Sequence, residues 1–149
     1  MSSSLLSDFH FFNHVEDVDL QALIELTKTF HFSAGDILLE QGTPNDSLFL
    51  VYQGAIEILR IHGEKELKLA TITEKGFFGE TSIFSTSMTS ATVRAVDQCT
   101  VLVIKHADLL HYIQERPEAG NKILLEILKA VCRRLSDTND KISDLLFWF

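Results

Sequence analysis

Residues 32–104 of this chain are cut at short, regular intervals by turn-forming residues. Ala34–Gly35–Asp36, Gly42–Thr43–Pro44–Asn45–Asp46, Gln53–Gly54, His62–Gly63–Glu64, Lys75–Gly76 and Asp97–Gln98 follow one another roughly every ten residues. Between these marks lie β-branched and aromatic runs: DILLE, SLFLVY, AIEILRI, LKLATI, SATVRAV and TVLVI. Runs that short, so closely punctuated, predict about eight strands in a sandwich or barrel. A parallel α/β sheet is excluded, because its strands need long crossover connections. In IHGEKELKL, Gly63 supplies the turn of a hairpin.

The flanks have a different period. In residues 15–30, VEDVDLQALIELTKTF, the apolar positions Val18, Ala22, Leu23, Leu26 and Phe30 keep a helical step. Asp17 or Asp19 is placed to cap that helix, and Phe9, Phe11 and Phe12 before it are expected to bury against the body of the domain. Beyond the strands, residues 108–115 predict a short helix, and Pro117 suits the first turn of another. In that last helix Leu124, Leu128, Val131, Leu135, Thr138, Ile142, Leu145 and Phe149 step alternately by four and three, a heptad seam. The chain is therefore expected to be α+β, one domain over 1–149, with a helical segment at 1–31, strands at 32–104 and helices at 105–149.

Composition narrows the class. With 46% hydrophobic and 23% charged residues, the chain has the make-up of a globular protein with an ordinary core. Its apolar runs, such as residues 48–52, fall far short of the roughly 20 residues that span a bilayer. The N-terminus MSSSLLSDFHFF has no basic n-region, so no membrane association and a cytoplasmic location are expected. Cys99 and Cys132 read as two buried, reduced thiols, and the six histidines lack metal-ligand spacing, so no metal site is expected. A net charge of −8, with Arg133–Arg134 as the one basic cluster, argues against direct nucleic-acid binding. An enzyme on a similar barrel would need clustered His and Glu ligands on the strands, so no enzymatic activity is expected.

Several marks in order resemble the cyclic nucleotide-binding domain shared by the bacterial catabolite activator, protein kinase A regulatory subunits and cyclic-nucleotide-gated channels. They are Ala34–Gly35–Asp36–Ile37, Gln41–Gly42, the run at 48–52 followed by Gln53–Gly54, Gly76–Phe77–Phe78–Gly79–Glu80, and Ser90–Ala91–Thr92–Val93. The resemblance implies an antiparallel jelly-roll barrel, a double-stranded β-helix, between an N-terminal helix and C-terminal helices. It also implies a ligand, cAMP or cGMP, with no cofactor required.

By that resemblance, residues 78–84 are a phosphate-binding cassette, a turn and short helix whose backbone N–H groups face an anion. Phe78, Gly79, Glu80, Thr81 and Ser82 are its candidate residues, with Glu80 placed for a ribose hydroxyl. Glu80 also reads, less strongly, as a helix N-terminal charge or as a partner for a nearby amide. Eight residues, Thr81 to Met88, follow Glu80; at the next position, where the family has an arginine, this chain has Thr89, and Ser90, Ala91 and Thr92 then fall back into the pattern. Threonine offers one neutral hydroxyl in place of a bidentate cation, and losing such a pair costs roughly 2–5 kcal/mol. Weak binding is expected. Arg94 is expected on the opposite face of its strand, while Arg60 and Lys68 are candidate substitutes.

The run RRLSDTNDKI resembles the dimer helix of the catabolite activator, which makes Thr138 and Asn139 candidates for contact with a purine. Thr138 also reads as a polar break that sets the register of the seam. The expected partner is a second copy, paired through Leu128, Val131, Leu135, Ile142, Leu145 and Phe149, with an effector protein of unknown identity. The chain stops at Phe149, before any DNA-binding, catalytic or membrane segment, so it reads as the sensor half alone. The competing expectation is a degenerate pocket on a protein–protein interaction and dimerisation module.

Overall fold

A computed structural model describes residues 6, 7, 9–84 and 88–147. Helix α1 (Asp17–Ile24) leads into eight strands: β1 (Lys28–Phe32), β2 (Ile37–Leu39), β3 (Ser47–Gln53), β4 (Ile56–His62), β5 (Lys65–Ile72), β6 (Phe77–Phe78), β7 (Thr92–Ala95) and β8 (Cys99–Lys105). Two helices follow, α2 (His106–Glu115) and α3 (Pro117–Phe147), the second opening on Pro117 as expected. The strands form two antiparallel sheets, β1-β8-β3-β6 and β2-β7-β4-β5, packed as a jelly-roll sandwich. Among the described residues no ladder joins the two sheets, so the barrel is not closed. Strand β6 is two residues long and β5 is a largely exposed edge, which leaves too little pairing to seal it.

Strand β3 explains the unbroken apolar run of residues 48–52, because it is covered on both faces. Leu48 and Leu50 face the helices, in one core with Phe9, Phe12, Leu102, Leu109 and Ile123. Phe49 and Val51 face inward, in a second core with Ile56, Phe78, Val93 and Val101. The N-terminal aromatics are buried as expected, and Phe11 meets Phe77 edge-on at 4.8 Å between ring centroids.

The helical period of residues 15–30 overreaches. Helix α1 ends at Ile24, and residues 28–32 pair with β8 in register from Lys28↔Val103 to Phe32↔Cys99. Val18 and Phe30, two of the apolar positions that kept the helical step, are exposed. KTFHF favours an extended chain through Thr29 and its aromatics, and β8 offers a partner that no local pattern reveals. Neither Asp17 nor Asp19 caps α1, whose N-cap is Glu16 without a side-chain bond. Cys99 is buried as expected, but Cys132 is exposed.

The last helix also differs from its heptad. Ile123 and Ile127 are buried, and Val131 packs partly against the same core instead of standing out with Leu128. The outward stripe is rotated to Leu125, Leu128, Cys132, Leu135, Asn139, Ile142 and Leu146, all exposed. Leu145 is also exposed, and Phe149 lies outside the described residues. The core takes one side of the stripe because the sandwich, and not another helix, is the nearest apolar surface.

Candidate functional site

The site begins at a backbone turn. Gly79 follows β6 with φ +88°, a left-handed conformation that L side chains seldom adopt. A Cβ there would also lie 2.6 Å from the Ser47 carbonyl oxygen. The turn can therefore sit tightly against the start of β3. Beside it the Asn45 side chain shapes the start of β3, donating to the Ser47 carbonyl at 2.8 Å and accepting from the Ser47 N–H at 3.1 Å. Below it, the Phe49 and Phe78 rings stack 4.7 Å apart.

From Gly79 the chain runs through Glu80, Thr81 and Ser82 along a cavity of about 380 Å³. Residues 81–84 form turns, not the short helix expected, with Ile83 N–H donating to the Glu80 carbonyl at 3.1 Å. Thr81 and Ser82 are poor helix formers because their hydroxyls compete for the backbone. Ser85, Thr86 and Ser87 lie outside the described residues.

The cavity gathers Phe78, Gly79, Glu80, Thr81, Ser82, Thr89, Ser90, Ala91 and Thr138. Of the candidates only Asn139 is not on its wall; it stands exposed in the outward stripe of α3. Thr89 is fixed by its backbone, which accepts from Gly42 N–H and donates to the Thr43 carbonyl, both at 2.8 Å. Its hydroxyl oxygen is buried and has no hydrogen-bond partner among the described residues. The Thr138 hydroxyl is engaged along its own helix, donating to the Arg134 carbonyl at 2.9 Å.

A cation on this cavity that the sequence reading missed is Arg134. Its guanidinium donates to Glu80 at 2.8 Å and to the Phe77 carbonyl at 2.6 Å, and lies 4.3 Å from the centre of the Phe77 ring. Arg134 stands one turn before Thr138, so the two share a helix face, and that spacing was the available signal. Asp137 and Lys141 join them on the same wall. Arg60 and Lys68 are not on it.

Arg94 points away, as its strand parity predicts. It pairs with Glu57 at 2.8 Å and, through both terminal nitrogens, with Glu66 at 3.0 Å. Hydrogen bonds from Arg94 hold the Glu66 carboxyl below the usual range. No cluster of metal ligands exists among the described residues, and no described helix is long and apolar enough to cross a membrane.

This arrangement has known counterparts. The sequence profile of the cyclic nucleotide-binding domain matches residues 29–116. The chain is 27% identical over 137 residues to a CRP-like cAMP-activated global transcriptional regulator of Mycobacterium tuberculosis, covering 91% of this chain and 59% of that protein. It thus spans little more than half the length of that relative. It resembles the N-terminal domain of a transcriptional regulator from Streptomyces coelicolor A3(2), with TM-score 0.71, 29% identity and coverage of 93% and 94%. A cyclic nucleotide-binding domain from Methylobacillus flagellatus shares the fold, with TM-score 0.81, 21% identity and coverage of 93% and 79%. With its matched segment, its jelly roll and its Gly79 turn facing a C-terminal helix across a cavity, this chain belongs to the cyclic nucleotide-binding domain family.

Proposed function

We propose that the chain is a regulatory sensor domain that takes cAMP or cGMP, weakly, into the cavity between the residue 78–82 turn and α3. The observation that carries this reading is the two-sided wall. Glu80 comes from the turn and Arg134 from the helix, and they meet at 2.8 Å on one cavity. A ligand seated there touches both, so its binding is coupled to the position of α3. A carboxylate such as Glu80 accepts well from a sugar hydroxyl, and Arg134 holds that carboxylate in place. The buried Thr89 hydroxyl gains a partner when an anionic oxygen arrives, which relieves a desolvation cost of about 1–3 kcal/mol.

Weakness follows from charge. The wall carries Glu80 and Asp137 against Arg134 and Lys141, so an incoming anion meets no formal excess of positive charge. The name of the Mycobacterium tuberculosis relative, cAMP-activated, makes cAMP the first ligand to test. A second reading, an interaction module with an unused pocket, is favoured by the apolar stripe along α3 and by Arg134 already being paired. In either case the partner proposed is a second copy, docked along that stripe.

Calorimetric titration with cAMP, cGMP and cyclic dinucleotides tests the reading. The wild type should bind cAMP weakly, and Thr89→Arg should tighten binding at least about tenfold, a modest share of what a buried phosphate pair is worth. Submicromolar binding by the wild type, unchanged in Thr89→Arg, would overturn the account of the missing cation. Silence from both proteins would leave the interaction module as the function.

A further inference from the structure

His106 is the first residue of α2, and it is buried at 7% exposure, with no local pattern in the chain connecting it to the cavity. Its backbone N–H donates to the Asp46 carbonyl at 2.8 Å, which fastens the start of α2 to the loop before β3. Its ring nitrogen Nε2 lies 2.8 Å from the carbonyl oxygen of Gly79. A carbonyl only accepts, so Nε2 carries the proton and donates.

That carbonyl belongs to the peptide joining Gly79 to Glu80. In a planar trans peptide the C=O and the N–H point in opposite directions. Fixing the Gly79 oxygen toward His106 therefore turns the Glu80 N–H away from α2. Rotating that peptide changes ψ of Gly79 and φ of Glu80, and because Gly79 has no Cβ its ψ is soft, so the imidazole bond is what fixes the peptide. A flipped peptide would present a carbonyl oxygen where an anion needs an N–H, replacing attraction by repulsion. Asn45 Nδ2 reaches the same oxygen only at 3.4 Å, too long to replace the imidazole.

We infer that His106 is a positioning residue for the ligand site: its Nε2–H latches the Gly79–Glu80 peptide so that the Glu80 amide donates to a bound anion. The inference rests on the binding reading above, but it also has a signature in the ligand-free protein. His106 touches no ligand itself and acts through the peptide. A hydrogen bond from the ring also polarises that peptide, which strengthens the N–H as a donor.

The test compares His106→Leu with His106→Gln, whose amide nitrogen restores a donor at similar reach. In the ligand-free protein, nitrogen NMR of His106 should show Nε2 protonated, and the Glu80 amide resonance should move in His106→Leu but return toward its original position in His106→Gln. In titrations with cAMP, His106→Leu should bind roughly tenfold more weakly, the worth of one well-placed hydrogen bond, and His106→Gln should recover most of that loss. Thermal melts of both variants separate this from simple unfolding, since the Gln variant leaves the same packing gap without losing the donor. Equal affinity in a folded His106→Leu, or an unmoved Glu80 resonance, would overturn the latch. Failure of the wild type to bind any cyclic nucleotide would instead remove the binding reading, while the ligand-free spectra still decide the latch.

Discussion

At position 79 the backbone is left-handed, and the space for a side chain is already taken by the Ser47 carbonyl and the Phe49 ring. Gly79→Ala should therefore destabilise the fold by about 1–3 kcal/mol from backbone strain alone, with the displaced Ser47 adding to it. The shift of the urea midpoint measures this, and an unchanged midpoint would show that the turn relaxes freely. Glycine followed by glutamate was legible in the sequence because each residue type has a specific chemical use. Arg134 was not. It stood in a basic pair on a helix, and only the fold brings it to Glu80 and over Phe77. His106 was hidden for the same reason, since its partner Gly79 lies 27 residues away in sequence.

Helices α1 and α2 are joined by a small polar clamp on the outside of the helical core. The Tyr112 hydroxyl donates to the Asp19 carbonyl at 2.8 Å, and Arg116 pairs with the Asp19 carboxylate at 2.6 Å. Burial, and then the Asp19 charge, push the Tyr112 phenol up to about 12. An unfolded tyrosine ionises near 10, so between those values the unfolded chain releases a proton that the folded chain keeps. Stability from this group is complete below about pH 10 and is lost as pH rises through about 12. Tyr112→Phe should flatten that alkaline fall in the denaturant midpoint, at a cost of about 1 kcal/mol at neutral pH for the lost hydrogen bond. An identical alkaline slope in both proteins would sink the prediction. Asp19, read from sequence with Asp17 as a candidate helix cap, ties the helices together instead.

Helix α3 has 31 residues and is about 46 Å long, more than the sandwich can cover. Its buried positions end with Ile127, and beyond Arg134 it meets the rest of the chain chiefly across the cavity. Leu128, Leu135, Ile142 and Leu146 are then more than half exposed. A stripe of that extent is seldom left in water by a soluble monomer. Light scattering after size exclusion should give about twice the chain mass of 16.8 kDa. Leu135→Asp and Ile142→Asp should shift it toward monomer. Val131→Asp should mainly lower stability, since Val131 packs on its own subunit. Cys132 lies in the stripe, so mild oxidation should crosslink parallel pairs. A clean monomer at tens of micromolar would remove the proposal.

Turn punctuation in the strand region determined short strands in a sandwich or barrel, since each turn residue and each apolar run answers a local requirement of the backbone; the family resemblance implied the jelly roll. The resemblance, and not local logic, singled out Gly79, Glu80 and Thr89, and with them the expectation that Thr89 stands in an arginine's place. Pairing and facing were decided only in three dimensions. Residues 28–32 became a strand because β8 lay beside them, and α3 turned Val131 inward because the sandwich was the nearer apolar surface. The polar contacts between Arg134 and Glu80, and between His106 and Gly79, join segments far apart in sequence. No periodicity records such contacts, because they depend on how whole elements pack and not on the residues that neighbour them in the chain.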